Sequence, residues 1–313
     1  MIDIIIPTYN ALKTIDDTLY SISYQSIVDK ITVYLVDDAS TDNYDKLIEK
    51  FKKLINIKLL RVEKNSGPGH AREYGINNSK GKYIIFIDSD DSFYDPYSVE
   101  TLYKKIDESN ADMVVTNFSE ETFDGYHIHD LNYTWFHGKI YRRSFIEKYD
   151  IHINDTRKDE DEGFNQLCYL ITDNILYEPV VTYFWRNNRS SITRHKDTYN
   201  EDAMHDYAYN IKYAISESLK HKPDKYKVDS LAYKALIFVY FLFLEYPKSF
   251  EFKGFNDSLV YLKDIYLKNN MTNKEKNELY NSQFDACFNI VKMKNIENPK
   301  ISFDEFLDKI GKE

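Results

Sequence analysis

Asn65–Asp91, NSGPGHAREYGINNSKGKYIIFIDSDD, is the stretch whose reading decides the fold. Its run Tyr83–Ile87 is β-branched and aromatic without polar alternation, the pattern of a strand buried on both faces. The strand ends abruptly in Asp88, Ser89, Asp90 and Asp91. In an open α/β sheet, ligands bind beyond the carboxyl ends of the strands, and residues two apart lean to the same side. Asp88 and Asp90 therefore offer one ligand two hard oxygen donors, a set that suits Mg²⁺ or Mn²⁺ against a phosphate. Taken alone, D-S-D-D is equally a strand-to-turn junction of solvated aspartates. Upstream, Ser66-Gly67-Pro68-Gly69 signals a turn into an amphipathic helix from His70 to about Ser79. Arg72, in its first turn, would complement a metal–diphosphate site.

Toward the N-terminus the same arrangement recurs. Asp3–Thr8 reads as a strand that breaks at Pro7, with a helix from about Ala11 to Ser26 whose Leu12, Ile15, Leu19 and Ile22 keep helical spacing. Ile31–Val36 is the next strand, ending at Asp37-Asp38, and Ser40, Thr41 and Asp42 supply an N-cap for a helix to about Leu54. Ile57–Val62 is a third strand and Tyr83–Ile87 a fourth. A βαβαβαβ order predicts a mostly parallel, Rossmann-like sheet flanked by helices. Right-handed crossovers then bring Pro7–Tyr9, Asp37–Asp38 and Asp88–Asp91 to one edge as a crevice. No G-x-G-x-x-G follows the first strand, which disfavours a dinucleotide site.

Past Asp91 the pattern predicts a helix over Ser98–Ser109, a strand over Met113–Phe118, an irregular aromatic segment Asn132–Lys139 and a short helix over Arg142–Tyr149. A helix over Glu160–Thr172 has a first turn loaded with acid, as the helix dipole favours. A strand ends at Phe184-Trp185 and leads into a polar loop through His195. From about Asn200 only helices follow, over Asp202–Lys220, Tyr226–Tyr246, Ser258–Lys268, Asn273–Val291 and Phe303–Ile310, so the expectation is two domains, 1–198 and an all-helical 199–313.

The formal net charge of −10 argues against a nonspecific grip on nucleic acid or on an anionic membrane. Cys168 and Cys287 lie far apart without metal-ligand spacing and read as buried thiols of a reducing compartment. The chain opens on a strand, MIDIIIPTYN, rather than on a secretory signal, which places it in the cytoplasm or at the inner face of a membrane. Ala235–Leu244, ALIFVYFLFL, is about half a bilayer span and reads as a buried helix or the interface of a homo-oligomer.

Seven segments in order, IIIPTYN (Ile4–Asn10), VDDASTD (Val36–Asp42), NSGPGHAREYGI (Asn65–Ile76), GKYIIFIDSDD (Gly81–Asp91), GKIYRRSF (Gly138–Phe145), EDEGF (Glu160–Phe164) and FWRNNRSSIT (Phe184–Thr193), make residues 2–195 resemble a family 2 glycosyltransferase with a GT-A fold. The resemblance implies a nucleotide-diphospho-sugar donor, UDP-linked, in the crevice. Pro7, Thr8 and Tyr9 would line its base and ribose side, Asp38 would accept a hydrogen bond from the base, Arg72 would lie near base and diphosphate, and Asp88 and Ser89 would reach the ribose. Asp90 would hold Mn²⁺ or Mg²⁺ with Asp88, and His195 would complete the shell. Arg189, in the closing loop, would contact phosphate. Asp161 would be the base that takes the acceptor proton, with Glu160 in support, and like-charged neighbours would raise the pKa of at least one of these acids. One base and one metal imply inversion at the anomeric carbon. Trp135, His137 and Lys139 would border the acceptor.

The acceptor class stays open at this level. The first reading is a glycan, a teichoic-acid-like polyol phosphate or a lipid-linked chain, whereas a nucleic-acid base or a protein would call for a basic groove that the overall charge does not advertise. A catalytically idle GT-A domain would leave the helical third as the working part, for acceptor binding or assembly.

Overall fold

The structure is a computed structural model that describes residues 1–130, 132–188, 201–246 and 256–312. Two compact units divide the chain, Met1–Ser191 and Ile192–Glu313.

The first unit is built on a nine-stranded sheet. Its strands are β1 (Ile2–Thr8), β2 (Ile31–Asp37), β3 (Asn56–Arg61), β4 (Tyr83–Phe86), β5 (Ser92–Phe93), β6 (Met113–Thr122), β7 (Gly125–His129), β8 (Lys139–Arg142) and β9 (Ile175–Trp185). The order is β3-β2-β1-β4-β8-β6-β9-β5, with β7 paired to β6. The first four strands are parallel, as the βα alternation predicts. β8 enters antiparallel between β4 and β6 and carries the sheet into its second half. Every residue of β1, β2 and β4 is buried, which is why these strands read as mainly apolar, without the alternation of a half-exposed strand. Thr8 of β1 stands opposite Asp37 of β2, and Ile5 opposite Phe86 of β4, so the three carboxyl ends share one edge.

Helices α1 (Ile15–Ser23), α2 (Asp45–Phe51), α3 (Pro68–Asn77), α4 (Ser98–Ser109), α5 (Arg143–Lys148) and α6 (Glu160–Ile171) complete this unit. Two are shorter than the sequence pattern predicts, for one shared reason. Asn10 sits in the left-handed region at φ 49°, and its side-chain oxygen accepts from the Thr41 amide at 2.9 Å while its own amide donates to Ser40 Oγ at 2.9 Å. Asp42 Oδ2 accepts from the Leu12 amide at 3.1 Å. The polar residues expected to cap α2 tie the first βα turn to the second instead. Leu12 falls in that turn and is 40% exposed, whereas Ile15, Leu19 and Ile22 are buried in the core as the spacing predicts.

The second unit contains α7 (Glu201–Ser218), α8 (Lys225–Glu245), α9 (Asn256–Leu267), α10 (Asn273–Asp285) and α11 (Phe303–Leu307). A π-helical turn over Ala286–Ile290 ends the segment expected to stay α-helical to Val291. Contacts of α8 with α7, α9, α10 and α11 account for the burial of Ala235, Leu236, Ile237, Val239, Tyr240, Phe241, Leu242 and Leu244. The stripe expected as a homo-oligomer interface is thus used inside its own unit. No described helix is long and apolar enough to cross a membrane, and both cysteines are buried and free.

Candidate active site

α3 organises the crevice. The turn before it places Gly67 at φ 97°, a conformation that favours glycine. A Cβ at Gly69 would stand 2.1 Å from the Asn154 carbonyl oxygen and 3.1 Å from Glu160 Cγ. The helix therefore lies directly against the 150–157 segment. Glu73 fixes that segment further, accepting from the Ile153 amide at 3.0 Å and contacting His152 Nδ1 at 2.8 Å. These contacts set where the chain enters α6.

Arg72 is buried between two acids. Its Nη2 donates to Asp88 Oδ1 at 2.6 Å and its Nη1 to Glu160 Oε1 at 2.5 Å, with the Phe136 ring 4.9 Å below the guanidinium. Nε has no hydrogen-bond partner among the described residues. Burial opposes the charge, but Asp88, Glu160 and Asp161 outweigh it and hold the guanidinium firmly protonated. The cation assigned from sequence to the base and diphosphate is committed here to two carboxylates, one at the end of β4 and one in the first turn of α6.

Glu160 and Asp161 open α6. Burial pushes the Glu160 carboxyl above the ordinary range against the pull of Arg72. Asp161 is raised likewise by burial, with Asp88 adding to the shift and Arg72 and Lys139 opposing it. Its Oδ1 accepts from the Glu162 amide at 2.8 Å. Asn165, one turn on and buried, donates Nδ2 to Asp161 O at 2.9 Å and to Thr134 O at 2.8 Å, and accepts from Tyr141 Oη at 2.6 Å. It joins the turn carrying the acids to the segment carrying Trp135, His137 and Lys139. That segment depends on Lys139, whose buried ammonium donates to the Trp135 carbonyl and, at 3.4 Å, to the His137 carbonyl. Burial pushes Lys139 down to about 7.

Trp135, His137, Tyr183 and Trp185 form an aromatic wall. Trp135 and Trp185 centroids are 5.4 Å apart, and His137 stacks on Tyr183 at 4.4 Å. Burial holds His137 neutral, at about 3, and its Nδ1 has no hydrogen-bond partner among the described residues. Asp91 lies beneath. Its Oδ2 accepts from Tyr183 Oη at 2.6 Å and its Oδ1 from the Arg186 amide at 2.9 Å, and His137 Nε2 is 3.9 Å from Oδ2. Burial pushes its carboxyl well up.

The remaining sequence-derived residues divide between those at the crevice edge and those outside the described residues. Tyr9 is 53% exposed at the end of β1, beyond buried Pro7 and Thr8, and the Thr8 hydroxyl donates back to Ile6 O at 3.1 Å. Asp38 is buried and accepts from the Ser66 amide at 3.0 Å and the Gly67 amide at 2.8 Å; a carboxylate retains acceptor capacity beyond two such bonds. Ser89 and Asp90 are half-buried, and Asp90 Oδ2 accepts from Asn188 Nδ2 at 2.8 Å. Arg189 and His195 lie outside the described residues.

Asp88, Asp91 and His137 each offer a ligand atom within 4.8 Å of the other two. Two hard carboxylates with an imidazole suit Mn²⁺ better than Mg²⁺, and the unpartnered Nδ1 is consistent with a ring whose other nitrogen faces the acids. Both Asp91 oxygens accept protein donors, and Asp88 and Asp90 each accept one through a carboxylate oxygen, from Arg72 and Asn188 respectively. Asp91, Tyr183 and Asn165 were not singled out from sequence. Asp91 carried a signal as the fourth residue of DSDD, whereas Tyr183 sits in an apolar run and Asn165 in a helix interior, where nothing marks them.

A parallel sheet delivering acids to one edge, faced by a second acidic pair on a later helix, defines the GT-A class of α/β domain. The sequence model of Glycosyl transferase family 2 matches residues 3–157, and this half of the chain belongs to that family. The chain is 30% identical over 224 residues to the glycosyltransferase GlyA of Streptococcus pneumoniae, covering 62% of this chain and 31% of GlyA. It is 29% identical over 202 residues to the poly(ribitol-phosphate) β-N-acetylglucosaminyltransferase TarS of Staphylococcus aureus, covering 59% of this chain and 35% of TarS. The chain thus spans about a third of the length of these curated relatives. The crystal structure of S. aureus TarS 1–349 in complex with UDP-GlcNAc superposes with a TM-score of 0.71 at 19% identity, covering 95% of this chain and 88% of that one. At that identity the likeness is one of fold.

Proposed function

We propose that the chain transfers a sugar, with inversion, from a UDP-sugar to a hydroxyl of a teichoic-acid-like polyol phosphate or related glycan. The observation that carries this reading is the Arg72 bridge, which places Asp88 and Glu160 on one guanidinium and so brings Asp161 to the crevice at the strand ends.

In this reading the donor occupies the edge formed by Pro7–Tyr9, Asp38 and Asp88-Ser89. Asp88 and Asp90, with His137 close behind, would hold Mn²⁺ or Mg²⁺, and such an ion supplies neutralisation of the departing diphosphate. Asp161 takes the proton of the acceptor hydroxyl as its oxygen attacks the anomeric carbon. The bond from that carbon to the diphosphate breaks on the opposite face and its electron pair leaves with UDP. A raised carboxyl is a better proton acceptor than an ordinary aspartate while still ionised near neutrality. Glu160, held by Arg72, fixes the first turn of α6. Trp135 and Trp185 offer ring faces for the acceptor. We assign residues 1–198 the catalytic role and 199–313 an accessory one in acceptor binding or assembly.

TarS is a poly(ribitol-phosphate) β-N-acetylglucosaminyltransferase, and this supports the acceptor class. The test is a panel of UDP-sugars, UDP-GlcNAc first, scored by thermal shift with and without Mn²⁺ and then by transfer to ribitol- and glycerol-phosphate oligomers. A ligand that prefers the native state raises its melting temperature. Silence from every UDP-sugar in both conditions would overturn the donor assignment.

A further inference from the structure

The helical unit contains a cavity of about 620 Å³ among α8, α9, α10, the stretch before α11 and the first turn of α11. It is a depression open to solvent, and its volume falls in the range of roughly 300–1,000 Å³ spanned by small-molecule sites. The lining is aromatic with a polar rim. Tyr233 stacks on Tyr266 at 5.2 Å and 13°, and Phe303 meets them edge-on at 5.8 and 6.0 Å. Tyr233 is buried as the floor, while Tyr266, Tyr280 and Phe303 are half-buried as walls. Lys276 extends its ammonium over the Tyr266 ring at 5.2 Å. Asp304 is exposed at the rim.

Burial pushes Tyr233 up to about 12 and raises Tyr266 and Tyr280, and the Asp304 charge acts on Tyr233 and Tyr266 in the same direction. The phenols keep their protons as donors, and the carboxylate faces them. An aliphatic core would carry none of these groups. The walls offer flat π faces to C–H bonds, the phenols and ammonium offer donors, and the carboxylate offers two acceptor oxygens to a vicinal diol. Both charge signs occur together, which selects against a ligand defined by one strong charge.

We propose that this cavity is a binding site for a polyhydroxylated unit, a sugar or polyol residue of a glycan chain, separate from the active-site crevice. Its use as a second grip on the acceptor rests on the transfer reaction proposed above, but the binding itself does not.

Saturation-transfer NMR on the full chain tests it, with ribitol, N-acetylglucosamine and its trisaccharide as probes. We expect transfer to at least one probe, persisting when UDP and Mn²⁺ are saturating and in Asp161→Asn, and falling at least fivefold in Tyr266→Ala and in Asp304→Asn. Asp304 is exposed, so its variant keeps the fold and guards against a merely unfolded Tyr266→Ala. No transfer to any probe, or equal transfer in both cavity variants, overturns the site. Failure of the UDP-sugar thermal shift with cavity binding intact would instead count against the reaction.

Discussion

Arg72 and Glu160, 88 residues apart in the chain, meet as a buried ion pair at 2.5 Å. The same guanidinium holds Asp88, 16 residues away, at 2.6 Å. No compact sequence motif contains the pair; α3 brings it about by lying against the strand ends on one side and the entry to α6 on the other.

Replacing Arg72 by Lys should be severe. A single ammonium cannot reproduce a fork that reaches two carboxylates, and leaving one buried acid uncompensated costs about 3–5 kcal/mol. A drop of many degrees in melting temperature is expected, together with at least a hundredfold loss of transfer. A variant that melts and turns over as wild type would show that the bridge does not organise the site.

Asp161→Asn keeps the shape and removes the proton acceptor. General-base catalysis is worth about 10²–10⁴-fold, so the turnover number should fall by that factor while UDP-sugar affinity by calorimetry stays within a few-fold. Retained turnover would move the base to another residue.

The pH profile follows from the sign of the shift. Burial raises Asp161, and the base works only when ionised. Transfer should therefore be lost as pH falls, with its acid midpoint above the ordinary aspartate value of about 3.9. An acid limb at or below that value would disconnect the limb from Asp161. Lys139, pushed down to about 7, carries its charge below that pH and sheds it above, so Lys139→Met should alter the alkaline side of the profile.

Asp90→Asn should weaken UDP-sugar binding in the presence of Mn²⁺ at least tenfold and leave the weaker metal-free binding unchanged. Equal loss in both conditions would mean that Asp90 holds the protein rather than an ion, through its bond from Asn188.

Asn165→Ala removes the donor shared by Asp161 O and Thr134 O. The expected stability loss is about 1–3 kcal/mol. If Asn165 positions the base, the turnover number should also fall with donor KM unchanged, and Asn165→Gln should not rescue it; a stability loss alone would make Asn165 structural.

The N-terminal βα alternation and the converging strand ends were legible because buried parallel strands spell themselves as apolar runs ended by acids. The hairpin β6–β7 was not. Its second strand, Gly125–His129, lies largely on the surface, so it has no apolar run, and Asp124-Gly125 reads as an ordinary turn. The strand β8 is only four residues long and hides between an aromatic segment and a helix. Within the site, each acid was visible as a letter but its partner was not: Arg72 is a first-turn cation from sequence and becomes a two-acid bridge only in three dimensions. The polar cluster Ser40–Asp42 shows the converse, a capping signal that does not cap α2, whose N-cap is Tyr44 without a side-chain bond, and that binds Asn10 of the neighbouring turn instead.

Position 69 carries a final consequence. Because the backbone there abuts Asn154 and Glu160, any heavier side chain would act as a wedge, prying the donor-side helix from the acid-bearing one. Drift at this codon is thus closed to the family member on mechanical grounds, although residue 69 itself has no group with which to take part in any reaction.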